Sequence, residues 1–309
     1  MSEATEPVGG RLDTTISVEG RTLRLSNLQK VLYPGAGFTK AEVIDYYARV
    51  APAMLAHVGD RSLTLRRFPN GVEGQSFFEK RCPSHRPEWV RTAPGPGDHN
   101  GEIDYCLLAD TPSLVWAANM AALELHAPMA RAGDMETPTM VVFDLDPGLP
   151  ATIVECAHVG LMVRDVLDGI GLRCLAKTSG SKGLQLYVPL NTPGHTHAQA
   201  SQFALTVAQV LERADPGMIV TTQAKAARPG KVLIDWSQNS RHKTTVAAYS
   251  LRARPRPTVS APVTWDEVEA AADGEPLTFE AADVLDRVAD LGDLFADAAT
   301  LEQRLPSSP

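Results

Sequence analysis

Two aspartates lie one residue apart at the end of an apolar, β-branched segment, in TMVVFDLDPGLP at residues 139 to 150. Successive side chains of a β-strand alternate between faces, so Asp144 and Asp146 would project from one face with their Cα atoms about 6 to 7 Å apart. Two carboxylates this close repel and raise each other's pKa unless a cation lies between them, and a divalent metal ion is the usual solution. The alternative is that Asp146 only caps the following Pro-Gly turn, which leaves Asp144 unexplained.

A third carboxylate has the same placement. Asp235 stands near the end of the apolar segment KVLIDWSQN, where an isolated acid would be poorly solvated. Three carboxylates at strand ends, without a cluster of His or Cys, form the all-oxygen ligand set that suits Mg²⁺ or Mn²⁺ rather than zinc. Such a set can hold two metal ions about 3.5 to 4 Å apart, the arrangement used in phosphoryl and nucleotidyl transfer. Asp144, Asp146 and Asp235 are therefore the predicted catalytic and metal-binding residues.

A glycine-rich segment, KTSGSKGLQLYVP, is the second candidate site. Gly180 and Gly183 allow the backbone to bend so that amide N–H groups point at one anion, and Lys182 adds a positive charge. The GxxxxGK[ST] spacing is absent and an apolar strand follows, so this is not a P-loop. A plain glycine-rich hairpin is the alternative. With Lys177, Lys182 and the three aspartates in one chain, a metal-bound triphosphate explains more of these residues.

Length and charge restrict the class of protein. With 309 residues, 44% of them hydrophobic, the chain can bury the core of one large domain or of two closely joined lobes. No apolar run reaches membrane-spanning length, and the polar start MSEATEPVGG does not have the form of a signal peptide, so we expect a cytoplasmic protein without membrane contact. The four cysteines show no CxxC spacing and are expected to be reduced thiols.

The negative net charge of the chain comes from its C-terminal part. Residues 264–309 hold twelve acidic and two basic side chains, a charge of −10 against −8 for the whole chain, which leaves +2 for the rest. Basic residues of that remainder gather in LRRFPNG, AKAARPGK, NSRHK and LRARPRP. A nucleic acid partner is therefore compatible with the charge.

The chain divides by composition into three parts. We expect a disordered tail over residues 1–15, a single catalytic domain over 16–295 and a flexible acidic C-terminus over 296–309. Within the domain, helical and strand patterns alternate without a repeat, which indicates a mixed α and β fold.

Several elements are predicted from caps and periodicity. Thr39 as N-cap and Glu42 at the capping-box position predict a helix from Lys40 to about Val58. Further helices are expected in SLVWAANMAALEL, ATIVECAHVGLMVRDVLDGIG and HAQASQFALTVAQVLERA, and a brief one in RLSNLQKVLYP. The other expectations are a hairpin of SLTLRRF with SFFEK, a long surface loop in CPSHRPEWVRTAPGPGDHNG, and a final strand pair of KVLIDW with TTVAAYSLRA.

Three segments together resemble a known family. FDLDPG, TSGSKGL and VLIDWSQNSRHKTTVAAYSLRAR are similar, in order, spacing and strand context, to the three catalytic motifs of the archaeo-eukaryotic primase superfamily. They are most similar to the polymerase domains of bacterial ligase D and of related stand-alone primase-polymerases, and the resemblance extends from RLSNLQKVLYP to the acidic tail.

The resemblance implies a fold and a reaction. The fold would be α/β (α+β), with two small sheets and flanking helices around a central cleft, one lobe resembling an RNA-recognition motif. The reaction would be template-directed addition of NTPs or dNTPs, with a preference for ribonucleotides, to a primer 3′ end, using two divalent ions, Mn²⁺ or Mg²⁺, at the three aspartates.

By the same resemblance, six residues match positions that bind the nucleotide: Ser179, Lys182, Gln185, Arg252, His126 and Arg66. Ser179 would lie near the ribose 2′-hydroxyl. The family motif is usually SGxKGxH, and this chain has Gln185 at the His position. A glutamine can donate a hydrogen bond to a phosphate but adds no charge, so triphosphate affinity is expected to rest more on Lys182 and Arg252. Without the family, His126 at a predicted helix end would be interpreted as structural.

A second set of residues matches DNA contacts: Asn27, Lys30 and Lys40 for a downstream 5′-phosphate, Phe77 and Phe78 for stacking on template bases, and Arg228 for the template or primer 3′ end. Taken without the resemblance, the lysines would be ordinary solvated residues and the phenylalanines core residues of the hairpin.

The expected partners are gapped or broken DNA with a 5′-phosphate, NTPs or dNTPs, Ku and an ATP-dependent DNA ligase. We expect a monomer associated with the nucleoid, acting in end joining or gap-filling repair. No ligase or nuclease module fits into 309 residues, so the chain would be an excised polymerase domain or a stand-alone relative, and the short spacing from LELHAP to FDLDPG favours the latter. Two other functions stay open, a metal-dependent phosphoesterase or nuclease using the same acids and a non-catalytic DNA-end-binding module.

Overall fold

The structure, a computed structural model, describes residues 13–97 and 101–306. Its helices are α1 (Lys40–Val58), α2 (Thr111–Asn119), α3 (Ile153–Gly169), α4 (His197–Ala214), α5 (Trp265–Ala272), α6 (Ala281–Leu291) and α7 (Asp297–Thr300). Its strands are β1 (Thr14–Val18), β2 (Arg21–Leu25), β3 (Val31–Tyr33), β4 (Phe38–Thr39), β5 (Thr64–Arg67), β6 (Phe77–Glu79), β7 (Thr92–Pro96), β8 (Glu102–Cys106), β9 (Ala122–Pro128), β10 (Ala130–Arg131), β11 (Asp134–Pro138), β12 (Met140–Pro147), β13 (Leu175–Thr178), β14 (Leu184–Pro189), β15 (Ile219–Val220), β16 (Val232–Asp235), β17 (Thr244–Val246) and β18 (Pro262–Val263).

Threonine caps determine where four helices begin. α1, α3, α4 and α5 each follow a threonine whose hydroxyl accepts a backbone N–H of the first turn, while a Glu or Gln three residues on accepts the threonine N–H. This reciprocal capping box satisfies two otherwise unpaired donors at each helix start. The prediction of a helix over 40–58, capped by Thr39 and Glu42, is confirmed.

One lobe is built on a six-stranded sheet in the order β15-β16-β12-β14-β13-β18. The elements β12, α3, β13, β14, α4 and β16 follow one another as β-α-β-β-α-β, and the strand order β16-β12-β14-β13 is antiparallel throughout. This is the topology of an RNA-recognition motif, so the prediction for this lobe is confirmed. Phe143 and Leu145 are fully buried in the core that this sheet shares with α3, α4 and α5.

The other lobe is built on a four-stranded sheet in the order β17-β9-β5-β6, which packs against α1 and α2. The predicted hairpin is confirmed, because β5 and β6 pair antiparallel. Tyr47 of α1 is buried and donates to the carbonyl of Leu123 on β9 at 2.7 Å. Arg252, which follows β17, joins the lobes by donating to Glu124 of β9 and to the carbonyl of Ser179 after β13.

Four expectations about elements were wrong. AALEL is not helical: α2 ends at Asn119, and β9 carries His126 in a strand. The segment VLY forms β3 instead of a brief helix. The long loop contains β7, which pairs with β8. KVLIDW and TTVAAYSLRA do not pair with each other, because β16 belongs to the six-stranded sheet and β17 to the four-stranded one. The apolar residues of a short segment can fit both the helical and the strand periodicity, and packing against distant strands then decides which element forms.

The ends of the chain differ from the expected boundaries. Residues 1–12 and 307–309 of the expected tails lie outside the described residues, but β1 already begins at Thr14. Residues 297–303 are packed rather than free, since Asn191 donates to the carbonyls of Ala298 and Leu301, and Gln303 donates to that of Pro189. No helix within residues 13–97 and 101–306 is long and apolar enough to cross a membrane.

The expectation of four reduced cysteines is corrected for two of them. Cys82 and Cys106 form a disulfide with a Cα–Cα distance of 4.8 Å, while Cys156 and Cys174 are free and buried. The two paired residues are 24 positions apart in sequence, and the antiparallel pairing of β7 with β8 brings Cys106 back beside Cys82. Spacing along the chain cannot reveal such a contact.

Candidate active site

A polar row crosses the six-stranded sheet on the face opposite to the buried Phe143 and Leu145. In register, Asp144 of β12 faces Asp235 of β16 on one side and Gln185 of β14 on the other, and Gln185 faces Lys177 of β13. Directly opposed residues of neighbouring strands project from the same face, so these four side chains form one line. Asp146, two residues after Asp144, projects from that face as well. The predicted convergence of Asp235 with the Asp144–Asp146 pair is therefore present.

Hydrogen bonds fix the order of this row. Lys177, buried to 1% exposure, donates to Oε1 of Gln185, and Gln185 Nε2 donates to Asp144 Oδ1 at 3.0 Å. Lys177 also donates to Ser260 Oγ at 2.7 Å. Both ends of the Gln185 amide are thus engaged within the row. Gln185 orients the Asp144 carboxylate with one of its two amide N–H groups, and its contact with a phosphate stays a prediction.

The charges of the row are poorly screened. Burial raises the pKa of Asp144 to about 7, and the neighbouring charges of Asp146 and Asp235 act in the same direction. Desolvation and the charge of Asp235 also raise the pKa of Asp146, whose side chain keeps more contact with solvent. Burial lowers the pKa of Lys177 to about 7, against the attraction of Asp144. A bound cation would relieve the repulsion between these carboxylates.

Neutral donors surround the third carboxylate. Asp235 Oδ1 accepts the N–H and the hydroxyl of Ser237 and Nε2 of Gln223, and Oδ2 accepts Nε2 of Gln238. In the described parts of the chain, no set of three or more His, Cys, Asp or Glu side chains is arranged to hold a metal ion. The donor chemistry nevertheless fits a divalent cation, because the three acids share one face and Lys177 offsets their mutual repulsion only in part.

The glycine-rich turn closes on itself. Ser179 Oγ accepts the N–H groups of Ser181 at 3.3 Å and Gly183 at 3.0 Å, so two amides of the predicted anion site already have an acceptor. Gly180 has φ of +65°, and a Cβ on Gly183 would lie 2.1 Å from the carbonyl oxygen of Leu145, so both positions require glycine. Lys182 is exposed at the tip of the turn. Its ammonium group is therefore the accessible feature of the turn for an anion.

Three predicted nucleotide-binding residues meet at one carboxylate. Arg66, His126 and Arg252 all donate to Glu124, which is 2% exposed. Arg252 Nη1 also donates to the carbonyl of Ser179 at 2.5 Å and so connects this cluster to the glycine-rich turn. Arg66, His126 and Arg252 thus form one cationic cluster of the four-stranded lobe, which contacts the other lobe through Arg252.

Aromatic side chains stand beside this cluster. Phe77 and Phe78 are 44% and 58% exposed, so they are not core residues of the hairpin. The ring of Phe78 lies edge-on to His126 with centroids 5.6 Å apart, and the Arg66 guanidinium lies 5.2 Å from its centroid. An exposed ring held in this way offers a face on which a base can stack.

The two predicted phosphate-binding lysines are close together. Lys40 is 5% exposed and donates to the carbonyl of Ser26 at 2.7 Å, while Lys30 donates to the carbonyl of Pro69. Burial lowers the pKa of Lys40 to about 8, and the charge of Lys30 lowers it further. The φ of +55° at Asn27 turns the chain between Ser26 and Lys30. A buried lysine beside a second cation is not an ordinary solvated surface residue, and an anion would stabilise the pair.

Arg228 lies on the opposite side of the aspartates. It donates to both the backbone and the side-chain oxygen of Gln223 at 2.8 Å, and Gln223 in turn donates to Asp235 at 2.9 Å. A Cβ on Gly148 would lie 2.1 Å from the carbonyl oxygen of Arg228, so the FDLDPG turn and the arginine loop are in tight contact.

Sequence reasoning did not identify Glu124 and Gln223 as part of the site. Glu124 and His126 are two residues apart on β9, as Asp144 and Asp146 are on β12, so LELHAP also places two polar side chains on one face of a strand. That signal was hidden because the segment was predicted to be helical. Gln223 belongs to a loop in which no local pattern marks it.

Comparisons with known proteins agree with this geometry. A family model described as "LigD, primase-polymerase domain" matches residues 39–295. A solved structure, the polymerase domain from Mycobacterium tuberculosis ligase D in complex with DNA, has a TM-score of 0.85 and 42% identity, and covers 91% of this chain and 99% of that chain.

The named relatives are more than twice as long as the part that this chain matches. The chain is 45% identical over 277 residues to the multifunctional non-homologous end joining protein LigD of Mycolicibacterium smegmatis, with 89% of this chain and 36% of that protein covered. It is 30% identical over 275 residues to the bifunctional non-homologous end joining protein LigD of Bacillus subtilis, with 89% and 44% covered. The chain thus spans less than half the length of these relatives, and its assignment to a stand-alone branch stays a prediction.

Proposed function

This chain belongs to the LigD primase-polymerase domain family, and from that premise we propose that it is a template-directed nucleotidyltransferase. It would add ribo- or deoxyribonucleotides to a primer 3′ end at gaps and broken ends of DNA during non-homologous end joining. One observation carries the proposal: strand register places Asp235 opposite Asp144, about 90 residues earlier, beside a cationic cluster of the other lobe.

The three carboxylates are the proposed ligands of two divalent ions, Mn²⁺ or Mg²⁺. When bound there, such ions lower the pKa of the primer 3′-hydroxyl and stabilise the pyrophosphate leaving group. Gln185 holds the Asp144 carboxylate in position, and Lys177 holds Gln185. Burial raises the pKa of Asp144, repulsion from Asp146 and Asp235 raises it further, and a bound cation would relieve that repulsion.

The nucleotide and the DNA would bind on either side of the carboxylates. Arg66, His126, Lys182 and Arg252 form the proposed triphosphate site. Ser179 Oγ already accepts two backbone N–H groups, so toward a ribose hydroxyl it would act as a donor.

The DNA contacts follow from the exposed and charged side chains. Phe77 and Phe78 would stack on template bases, Asn27, Lys30 and Lys40 would bind the downstream 5′-phosphate, and Arg228 would contact the template or the primer end. The solved relative in complex with DNA supports this choice of partner. Ku and an ATP-dependent DNA ligase are proposed partners because the named relatives are end-joining proteins, and a nucleoid-associated cytoplasmic location follows.

Primer extension on gapped DNA tests the proposal. We expect the wild type to extend a labelled primer opposite a template gap with Mn²⁺, and the Asp144→Ala/Asp146→Ala variant to fail while remaining folded. Asp165→Ala, which removes an exposed carboxylate of α3, is the matched control and should extend normally. Primer shortening without extension would instead identify a nuclease. DNA binding that is independent of the aspartates, with no extension, would identify an end-binding module.

A further inference from the structure

Glu124 is a buried carboxylate of the four-stranded lobe whose two oxygen atoms both accept hydrogen bonds. It lies on β9, is 2% exposed and faces Arg66 of β5 in register. Its Oε2 accepts Nη1 of Arg66 at 3.2 Å and Nε2 of His126 at 3.0 Å. Its Oε1 accepts Nε of Arg252 at 3.1 Å and the backbone N–H of Ala253 at 3.0 Å. All four donors converge on two oxygen atoms.

The donors come from separate parts of the chain. Arg66 and His126 belong to neighbouring strands of the four-stranded sheet, whereas Arg252 follows that sheet in sequence and also donates to Ser179 of the other lobe. Burial alone would raise the pKa of Glu124, but the hydrogen bond from His126 and the charge of Arg252 outweigh it and hold the pKa well below its usual range. Glu124 is therefore ionised and balances part of the positive charge of these side chains.

We propose that Glu124 is the positioning residue that assembles Arg66, His126 and Arg252 into one binding site for the triphosphate of the incoming nucleotide. The inference rests on the proposed function and adds to it a residue that would not touch the reacting atoms. Two guanidinium groups repel each other and each has many rotamers, and a shared carboxylate removes both obstacles before the nucleotide arrives.

The hydrogen bonds also determine which donors a phosphate would meet. Arg252 donates from Nε to Glu124 and from Nη1 to the Ser179 carbonyl, which leaves both N–H groups of Nη2 and the second N–H of Nη1 for phosphate oxygens. Arg66 uses Nη1 for Glu124 and Nη2 for Ser76 Oγ, and its guanidinium also packs on Phe78. Glu124 thus links the orientation of the phosphate-binding side chains to that of the stacking ring.

A purely structural role for Glu124 predicts different behaviour. If Glu124 only joins the two sheets, its loss lowers the folded fraction and hence kcat, and the folded molecules bind the nucleotide as before. A positioning role predicts weaker triphosphate binding by molecules that are fully folded. Thermal unfolding and nucleotide affinity, measured on the same samples, separate the two.

The test uses Glu124→Gln, with Glu267→Gln as the matched control. Glu267 also binds an arginine, Arg287, through both oxygens, but it lies on α5 behind the six-stranded sheet. The equilibrium Kd of a labelled NTP would be measured by anisotropy with Mn²⁺, without primer extension. We expect Glu124→Gln to weaken NTP binding about 10- to 100-fold, the loss typical when a residue that orients a binding group is removed. The control should bind as the wild type does.

Gap-filling kinetics provide a second readout. For Glu124→Gln we expect KM for the NTP to rise in parallel with Kd while kcat changes less. If the glutamine variant unfolds, Glu124→Asp keeps the charge and moves the carboxylate back by one methylene, and it should still weaken NTP binding.

The inference is overturned if folded Glu124→Gln or Glu124→Asp binds NTP within about twofold of the wild type, or if the wild type binds no NTP. A wild type that binds NTP but never extends a primer would reject the proposed polymerase activity and leave the Glu124 comparison intact.

Discussion

Asp144→Asn should stabilise the metal-free protein at pH 8 although it removes a proposed catalytic residue. Asp144 lies between Gln185 and Asp235 in the polar row, and its pKa is raised to about 7 by burial first and then by the charges of Asp146 and Asp235. At pH 8 the carboxylate is therefore ionised in an unfavourable environment. Asparagine has nearly the same shape, keeps an oxygen that can accept from Gln185, and carries no charge.

The shift sets an upper limit to the effect. Moving the pKa of Asp144 from 3.8 to about 7 corresponds to about 4 kcal/mol of unfolding free energy, at about 1.4 kcal/mol per pKa unit. Asp144 keeps some contact with solvent, and the substitution also removes its attraction for Lys177, so we expect a gain of about 1 to 3 kcal/mol.

The pH dependence has a definite sign. Because the folded-state pKa of Asp144 is raised, the stabilising contribution of its protonated form is complete below pH 4 and is lost as the pH rises through 7. The advantage of Asp144→Asn should therefore be smaller at pH 5 than at pH 6.5 and largest at pH 8.

Urea unfolding in EDTA at pH 5, 6.5 and 8 measures this difference. Asp165→Asn, at an exposed position of α3, is the control and should track the wild type at each pH. Adding Mn²⁺ should stabilise the wild type and stabilise Asp144→Asn much less. An asparagine variant that is no more stable than the wild type at pH 8, or whose advantage is independent of pH, would refute the reasoning.

Three other predictions concern the surrounding site. Burial lowers the pKa of Lys40 to about 8, and the charge of Lys30 adds to the effect, so the preference for a 5′-phosphorylated over a 5′-hydroxyl downstream strand should decline between pH 7 and 9. Lys40→Arg should remove that decline. Fluorescence anisotropy with both DNAs measures the preference, and a wild-type preference that does not change with pH would contradict the prediction. Gln185→Leu leaves Lys177 and Asp144 without their shared partner and should lower the primer extension rate at least about tenfold. Gln185→His should retain most of that rate. Steady-state kinetics compare the two variants, and equal rates would contradict the proposed role of Gln185. Phe78→Ala should weaken single-stranded template binding by about 1 to 3 kcal/mol, measured by titration, and unchanged affinity would exclude stacking.

Local signals in the sequence were sufficient for much of the fold. The capping pair of Thr39 and Glu42 predicted the start of α1, and pairs of the same kind stand at Thr152, Thr196 and Thr264 where α3, α4 and α5 begin. These signals act within one turn of the chain, so they do not depend on distant contacts. The AALEL segment shows where they fail, because its apolar residues fit either period and only pairing with β5 and β17 makes it a strand.

The candidate site shows the same division. The alternation of side chains along a strand was sufficient to place Asp144 and Asp146 on one face. The carbonyl oxygen of Leu145 lies so close to position 183 that only glycine fits there. Register across the sheet placed Gln185 against Asp144, so that its amide donates to a carboxylate, a contact that the sequence did not indicate.

By itself, the sequence determined the residues whose chemistry depends on neighbours one to four positions away: the paired aspartates, the glycine-rich turn and the capped helices. Only the tertiary structure decided that Asp235 lies opposite Asp144, that Cys82 meets Cys106, and that Glu124 gathers side chains from β5, β9 and the segment after β17. The physical reason is that local backbone preferences are set within a few residues, whereas these contacts are set by strand register and packing between segments far apart in the chain.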